Sequence, residues 1–133
     1  MSESKSDRGM HPTASRQRKG KKGEMLAAEF LESKGVRIAA RNFRCPIGEI
    51  DLIGWDGKTI VFIEVKSRYS KNFGLPQEAV SLTKQKRLTR LGQWYIKQNR
   101  LQGRPARFDV IAIDWQSGMP ELTWIVNAFE ACE

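Results

Sequence analysis

The sequence predicts an α/β domain with a mixed β-sheet, in the element order α-β-β-β-α-β followed by a terminal strand. This class is indicated by a helical run, GEMLAAEFLESKG, that precedes strand-forming segments around an Asp-Gly turn signal. A second, basic helical run follows, and two apolar strand-like segments come after it. A chain of 133 residues is long enough for one hydrophobic core, so we expect a single domain over residues 22–133.

Periodicity and capping signals place the elements around the turn. The first helix is expected over residues 22–34, where a Lys-Gly pair is a favourable C-terminal cap, and a strand over residues 36–44. The second helix is expected to begin near Gln77 or Thr83, with N-cap character at Thr83, and to end near Arg100. We predict SKNFGLP as a polar loop long enough to be mobile, and RFDVIAI and ELTWIVNAF as the last two strands.

A hairpin is predicted between residues 48 and 68, in the run GEIDLIGWDGKTIVFIEVKSR. Asp-Gly is typical of a two-residue turn because both of its residues need positive φ. With Asp56-Gly57 as that turn, Asp51 lies opposite Phe62. Side chains alternate along strands, so the hairpin has a charged face and an apolar face. The charged face holds Glu49, Asp51, Glu64 and Lys66 beside Phe62, and the apolar face holds Ile50, Leu52, Val61, Ile63 and Val65.

Three carboxylates on one sheet face repel one another, and the repulsion grows as water is removed. A carboxyl can take up a proton, Lys66 can neutralise part of the charge, or a divalent cation can bind. Carboxylate oxygens are hard ligands that suit Mg²⁺ or Mn²⁺, and Mg²⁺ needs only one or two of them beside water and phosphate. Asp51 and Glu64 fit that requirement. The alternative is a solvent-exposed face on which the charges have no function.

The residues of this hairpin resemble the core of PD-(D/E)xK nucleases, in which an Asp is followed on the neighbouring strand by Glu-x-Lys. Here Asp51, Glu64 and Lys66 occupy those positions, and Ile50 stands in place of the proline. The longer pattern GKKGEMLAAEFLESKG, RNFRCPIGEIDLI, FIEVKSR, FGLPQEAV, KQKRL and RFDVIAI, from about Lys19 to Ile113, resembles the YraN-like family of small bacterial proteins. That family is similar to Holliday-junction resolvases. The resemblance implies a restriction-endonuclease-like fold and nucleic-acid binding.

The resemblance also implies a set of site residues. Asp51, Glu64 and the main-chain carbonyl of Val65 would hold Mg²⁺ or Mn²⁺, Glu24 on the first helix would complete the metal site, and Lys66 would act on the scissile phosphate. Spacing independently places Glu24 on the packing side of its helix, although a first-turn acid is also favoured by the helix dipole alone. Glu49 is expected to orient the metal ligands without contacting the metal itself, or simply to pair with Arg44 or Lys66.

Basic residues are the candidate phosphate contacts. They are Arg41, Arg44, Arg68, Lys84, Lys86, Arg87 and Arg90. The alternative for the helical members is an ordinary solvated helix face. Trp94 and Trp124 are more typical of packing than of base stacking. Asp109 is a further acid in an apolar strand, and the resemblance gives it no catalytic role.

The formal net charge is +8, but it is unevenly distributed. Residues 1–22 carry seven basic and two acidic side chains, a net +5, which leaves +3 for the rest of the chain. Residues 1–21, rich in Ser, Lys, Arg and Gly, are predicted to be a disordered basic tail. Such a tail either adds salt-sensitive phosphate affinity or serves as a solubilising extension.

Several classes of protein are not expected. We find no apolar run of transmembrane length and no apolar segment typical of a secretory signal, so a cytoplasmic protein without membrane association is predicted. Cys45 and Cys132 lack metal-type spacing, and reduced thiols are the default there. His11 is the only histidine and lies in the tail, which argues against a His-based triad or a zinc site.

The resemblance, together with the acidic hairpin, implies a Mg²⁺- or Mn²⁺-dependent endonuclease acting on nucleic acid, with branched DNA such as Holliday junctions as the expected substrate. Cutting a junction needs two symmetric nicks, so a C2 homodimer is the natural assembly. The alternative is a nuclease-like fold that binds nucleic acid without cutting it. A third interpretation is a protein-interaction scaffold that docks a partner on the hairpin face.

Overall fold

The computed structural model describes residues 12–69 and 80–132. Its elements are α1 (Pro12–Ser33), β1 (Arg37–Cys45), β2 (Gly48–Asp56), β3 (Thr59–Arg68), α2 (Leu82–Gln98), β4 (Ala106–Asp114) and β5 (Glu121–Phe129). The order matches the predicted α-β-β-β-α-β succession with a terminal strand. Within these described ranges, no helix is both long enough and apolar enough to cross a membrane.

The strands of the described residues form one sheet in the order β1-β2-β3-β4-β5. Neighbours pair antiparallel except β3 and β4, which are parallel. Parallel neighbours cannot be joined by a tight turn, and here the connection runs through α2. The sheet is therefore mixed, and the α/β, restriction-endonuclease-like fold class is confirmed.

Both faces of the sheet are covered by a helix. Ala27, Ala28 and Leu31 of α1 pack on one face, against a cluster that includes Leu52, Val61, Ile63, Ile111 and Ile113. Leu88 and Leu91 of α2 pack on the other, against a cluster that includes Ile53, Phe62, Phe108 and Val110. Burial of each Leu, Ile, Val or Phe side chain in these clusters contributes roughly 1.5–3 kcal/mol. The hairpin is thus covered by a helix on each face. Of its four charged residues, Glu64 is buried, Asp51 and Lys66 are half-buried and Glu49 is exposed, so a solvated face describes only Glu49.

The first helix begins earlier than predicted. It starts at Pro12 rather than at residue 22, so residues 12–21 are helical and not part of a disordered tail. Lys, Arg and Gln are good helix formers, and proline is tolerated in the first turn because its missing N–H is not needed there. Residues 1–11 of the predicted tail, including His11, lie outside the described residues.

The second helix begins at Leu82, and its N-cap is Ser81, whose hydroxyl accepts a hydrogen bond from the N–H of Lys84. The predicted cap at Thr83 is therefore wrong, because Thr83 already lies within the first turn. The helix ends at Gln98, close to the predicted end. The alternative start at Gln77 and the SKNFGLP loop lie outside the described residues.

The hairpin turn also differs from the prediction. Asp56 pairs with Thr59 and Leu52 with Ile63, so the turn residues are Gly57 and Lys58 rather than Asp56 and Gly57. Gly57 has a φ of +61°, which fits a two-residue turn with glycine at its first central position. Continuing this register puts Asp51 opposite Glu64 instead of Phe62. Because the shift is two residues, it does not change which side chains of the paired residues 52–56 and 59–63 share a face.

One apolar residue of the hairpin lies on the other side from the predicted one. Ile50 packs in the cluster under α2 with Ile53 and Phe62, not with Leu52 and Val61 under α1. The alternation of side chains is interrupted between Ile50 and Leu52, at the place where β2 ceases to pair with β3. The same place carries the candidate site.

Candidate functional site

The candidate site lies in a fork between the two strands of the hairpin. Backbone pairing of β2 with β3 ends at Leu52 and Ile63, although β3 continues to Arg68. Beyond that point Asp51 Oδ2 accepts a hydrogen bond of 2.9 Å from the N–H of Val65. A side-chain carboxylate thus takes a hydrogen bond that a sheet would normally give to a backbone carbonyl. The separation of the strands leaves the Asp51 carboxylate in the fork.

Asp51 and Glu64 form a close acidic pair in this fork. Glu64 is buried, with 7% of its surface exposed, and Asp51 is half-buried. Burial raises the pKa of Asp51 from its ordinary 3.8 to about 7, and the negative charges of Glu64 and Glu24 raise it as well. The Val65 N–H opposes this rise but does not offset it. Asp51 and Glu64 therefore lie close enough to interact, as predicted.

Glu24 reaches the same fork from α1. Burial raises its pKa, as do the charges of Glu49 and Glu64, while hydrogen bonding with Asp51 and Asn42 opposes the rise. The neighbouring Gly23 lets the helix approach the sheet, since a Cβ there would lie 3.1 Å from Ile113 Cδ1. The predicted packing-side position of Glu24 is confirmed, and its contact with Asp51 places it in the acidic group.

Two lysines flank the buried acid. Burial lowers the pKa of Lys66, and the neighbouring Lys84 lowers it further, whereas Glu64 and Asp51 act in the opposite direction. The Lys84 ammonium makes an ion pair with Glu64 Oε2. Lys84 was predicted only as a phosphate contact. No sequence signal indicated its pairing with Glu64, because the contact depends on how α2 lies over the sheet.

Glu49 stands apart from the buried pair. It is exposed and lies 3.6 Å from Arg44, as measured from Oε2 to Nε, so the predicted pairing with Arg44 is present. An exposed pair of this kind contributes roughly 0–1 kcal/mol. Its charge still reaches Glu24, where it raises the pKa. Glu49 therefore adds to the negative potential of the site from its rim.

The fit of a divalent cation was tested on these groups. No set of three or more His, Cys, Asp or Glu side chains is arranged as a metal cage within residues 12–69 and 80–132. Mg²⁺ rarely needs such a cage, since one or two carboxylates plus water and phosphate complete its shell. Asp51 and Glu64 supply two hard ligands whose mutual repulsion a dication would relieve. The chemistry of the acidic pair suits Mg²⁺ or Mn²⁺. The ligand roles of Asp51, Glu64, Glu24 and the Val65 carbonyl all stay predictions.

The predicted basic residues do not form a single surface. Arg41 and Arg44, with Lys21, line a cleft of about 500 Å³ that also contains Glu24 and Asn42. By contrast, Lys86 and Arg90 line a separate hollow of about 250 Å³ with Gln93 and Cys132, and none of the acids borders it. The basic cleft beside Glu24 is therefore the better placed of the two for a ligand of the acidic site.

The other two predicted phosphate contacts are Arg87 and Arg68. Arg87 lies against the β1–β2 turn, since a Cβ at Gly48 would be 3.7 Å from Arg87 Cδ. Arg68 is half-buried at the end of β3.

Cys45 and Cys132 are both free, as expected of reduced thiols.

Asn42 is a site residue that the sequence reasoning missed. It adopts a φ of +52°, which asparagine tolerates better than most residues. This conformation lies within β1, beside the cleft, and the Asn42 side chain hydrogen-bonds Glu24. The sequence signal that could have indicated Asn42 is an asparagine, a residue uncommon in strands, between Arg41 and Arg44 in a predicted strand.

Asp109 belongs to a separate, structural network. Its buried carboxylate accepts hydrogen bonds from Arg107 Nε at 3.0 Å, Trp124 Nε1 at 2.9 Å and the Asn127 N–H at 2.8 Å. Burial disfavours the charge of Arg107, but its hydrogen bonds to Asp109 and Asp56 keep its pKa above the ordinary value. These contacts fully account for an acid in an apolar strand, and they support Trp124 as a packing residue.

The described residues form a mixed five-stranded sheet with a helix on each face. Asp51, Glu64 and Lys66 lie at the fork of its central hairpin. This architecture defines a restriction-endonuclease-like α/β protein. The chain belongs to the uncharacterised protein family UPF0102, whose model matches residues 23–113. This is the family that the sequence motifs resembled.

Relatives of this family match most of the chain. A UPF0102 protein of Moorella thermoacetica is 50% identical over 119 residues, which cover 88% of this chain and 99% of the relative. A UPF0102 protein of Syntrophus aciditrophicus is 48% identical over 113 residues, with 85% and 89% covered. A third, from Geobacter metallireducens, is 49% identical over 112 residues, with 84% and 91% covered.

Proposed function

We propose that this protein is a metal-dependent endonuclease of nucleic acid, with branched DNA such as a four-way junction as its substrate. The observation that carries the proposal is the convergence of Asp51, Glu64 and Glu24 with Lys66 in the fork of the central hairpin. Structural acids are normally neutralised by full pairing, as Asp109 is. Asp51 instead lies among the negative charges of Glu64 and Glu24, beside a basic cleft, which is typical of a functional site.

Each side chain has a role that follows from its position. Asp51 and Glu64 would bind Mg²⁺ or Mn²⁺, and such an ion supplies a hydroxide near neutral pH and stabilises charge on phosphate oxygens. The Val65 N–H fixes the Asp51 carboxylate so that little reorganisation is needed on binding. Lys66 would donate to the scissile phosphate, and Glu24, in contact with Asp51, would orient or deprotonate water.

The cleft beside Glu24 gives the substrate a path. Its basic residues, Lys21, Arg41 and Arg44, would contact phosphates on one side of the scissile bond. Such contacts position a nucleic acid without reading its sequence, so selectivity would come from the shape of the substrate. A C2 homodimer would present two such sites to the two strands of a junction.

Cleavage is tested with end-labelled four-way junction, flap, duplex and single strand, each with Mg²⁺, Mn²⁺ or chelator. Wild type is expected to cut the junction only with metal, and Glu64→Gln and Lys66→Met are expected to bind it without cutting. Lys97→Met, which removes an exposed lysine from the last turn of α2, is the matched control and should cut normally. If wild type binds these substrates but cuts none with either metal, the protein is a binding module and the nuclease proposal is wrong.

Metal binding is tested separately by thermal unfolding. Mn²⁺ at about a hundred times its dissociation constant stabilises the native state by roughly 2.7 kcal/mol. For a domain of this size that is a rise in Tm of about 8–13 °C. Asp51→Asn should abolish the rise, because it removes a ligand while leaving an acceptor for the Val65 N–H. A rise of equal size in that variant would place the metal elsewhere.

A further inference from the structure

Lys84 occupies a position that α2 itself does not favour. It is the third residue of the helix, in a first turn that carries no acidic residue. The N-terminal end of a helix has a partial positive charge, so a lysine there is unfavourable. The local sequence gives no reason for its contact with the site. Its position is explained instead by the ion pair with Glu64 on β3.

The pair that Lys84 makes with Glu64 is only partly enclosed. The Glu64 side chain is 9% exposed, whereas the Lys84 side chain is 29% exposed. The acid is therefore fixed in the core, and the lysine reaches it from the rim on a flexible stem. A second ammonium, that of Lys66, lies close enough to Lys84 for the two charges to repel. The pairing thus neutralises a buried acid with a cation that retains a route to solvent.

We propose that Lys84 is an internal counter-ion that a divalent cation displaces from Glu64, and that the released ammonium then binds a phosphate of the nucleic acid. The inference rests on the proposed metal binding by Asp51 and Glu64. It assigns Lys84 as a positioning residue with two alternative partners. It also makes metal and nucleic acid reinforce each other's binding, because each favours the displaced state of the same side chain.

Competition for Glu64 is measured first, without nucleic acid. Mn²⁺ is titrated into the full chain, and free Mn²⁺ is followed by its EPR signal. Lys84→Gln is expected to bind Mn²⁺ about tenfold more tightly than wild type, equivalent to about 1.4 kcal/mol for the ion pair that no longer has to be broken. Lys86→Gln removes the same charge from the same helix but faces the separate hollow, so its affinity should stay within about twofold of wild type.

Coupling to nucleic acid is measured second, by fluorescence anisotropy of a labelled four-way junction. Lys66→Met serves as the background so that the junction is bound but not cut. With Lys84 present, Mn²⁺ is expected to raise the affinity for the junction by a clearly larger factor than it does in the Lys84→Gln variant. Equal factors in the two proteins would show that Lys84 does not exchange partners, and the inference would be overturned.

The outcomes separate this inference from the proposed function. If Mn²⁺ binding is lost in Asp51→Asn but unchanged in Lys84→Gln, the internal counter-ion is refuted and the metal site stands. If neither wild type nor Lys84→Gln binds Mn²⁺, the internal counter-ion and the metal site on which it rests are both refuted. The cleavage assay then decides separately whether the protein cuts nucleic acid. Should Lys84→Gln fail to fold, Lys84→Arg is compared instead. Its forked guanidinium holds a carboxylate more firmly and is expected to weaken Mn²⁺ binding, and an unchanged affinity would overturn the inference.

Discussion

Replacement of Asp51 by asparagine is expected to stabilise the metal-free protein. In the native state the pKa of Asp51 is about 7, against an ordinary value of 3.8. The folded protein therefore holds a proton on Asp51 that the unfolded chain has already released between these two pH values. Stability must fall as pH rises from about 4 to about 7, and the loss is complete above that range. The Asp51→Asn variant would carry no charge at this position and would avoid the loss.

The magnitude follows from the gap between the two pKa values. At about 1.36 kcal/mol per pH unit, the interval from 3.8 to about 7 corresponds to roughly 4 kcal/mol. The amide oxygen can still accept from the Val65 N–H, and its NH₂ can donate to Glu64 or Glu24, so little is lost elsewhere. We therefore expect Asp51→Asn to be more stable than wild type by about 2–4 kcal/mol at pH 8 and by about zero at pH 4.

The assay is urea unfolding of both proteins in chelator, from about pH 4 to about pH 8.5, with the difference in unfolding free energy plotted against pH. Glu32→Gln, which removes an exposed carboxyl from α1, controls for the loss of one negative charge. A variant that is less stable than wild type at pH 8, or a difference that does not change with pH, would refute the reasoning. A stabilised but inactive Asp51→Asn would show that the site is maintained at a cost in stability.

Other predictions concern the sheet and the cleft. Asp109→Asn should lower the unfolding free energy by about 1–3 kcal/mol in urea, because Arg107 keeps its pair with Asp56 but loses the buried carboxylate to which its Nε donates; a loss below about 1 kcal/mol would contradict this role of Asp109. Gly54→Ala should lower stability by about 1–3 kcal/mol, read as a fall in Tm, since its Cβ would lie 2.9 Å from Val36 Cγ1. Arg41→Gln combined with Arg44→Gln should reduce the slope of log affinity against log salt by about 2 in a gel-shift titration, and an unchanged slope would remove the cleft from the nucleic-acid path.

The fold was largely predictable because its signals are local. Alternation and apolar runs located every strand to within a residue or two, and Lys34-Gly35 marked the end of the first helix. The errors lie where two local signals compete. Asp56-Gly57 and Gly57-Lys58 are both acceptable turns, and cross-strand packing selected the second. Ser81 and Thr83 are both acceptable N-cap residues, and the helix starts at Leu82, directly after Ser81.

The site was predictable to the extent that it lies on one hairpin. Alternation along the strands predicted that Asp51, Glu64 and Lys66 lie together. The structure brings these three side chains together, although the register is shifted by two residues and β2 no longer pairs with β3 at Asp51. Glu24 came from the resemblance and from helical spacing, and its contact with Asp51 agrees with both. Val65 was expected to contribute its carbonyl, but the bond observed is from its N–H to Asp51.

The sequence by itself determined which side chains the central hairpin carries and, where its two strands pair, on which face they lie, because side chains alternate with a period of two residues along a paired strand. The tertiary structure alone decided that β2 and β3 separate at Asp51, that Lys84 reaches Glu64, and that Lys86 and Arg90 turn away. These outcomes depend on how a crossover helix and a distant strand pack on the sheet. Such packing is a sum of many long-range contacts, and no short stretch of the chain encodes it.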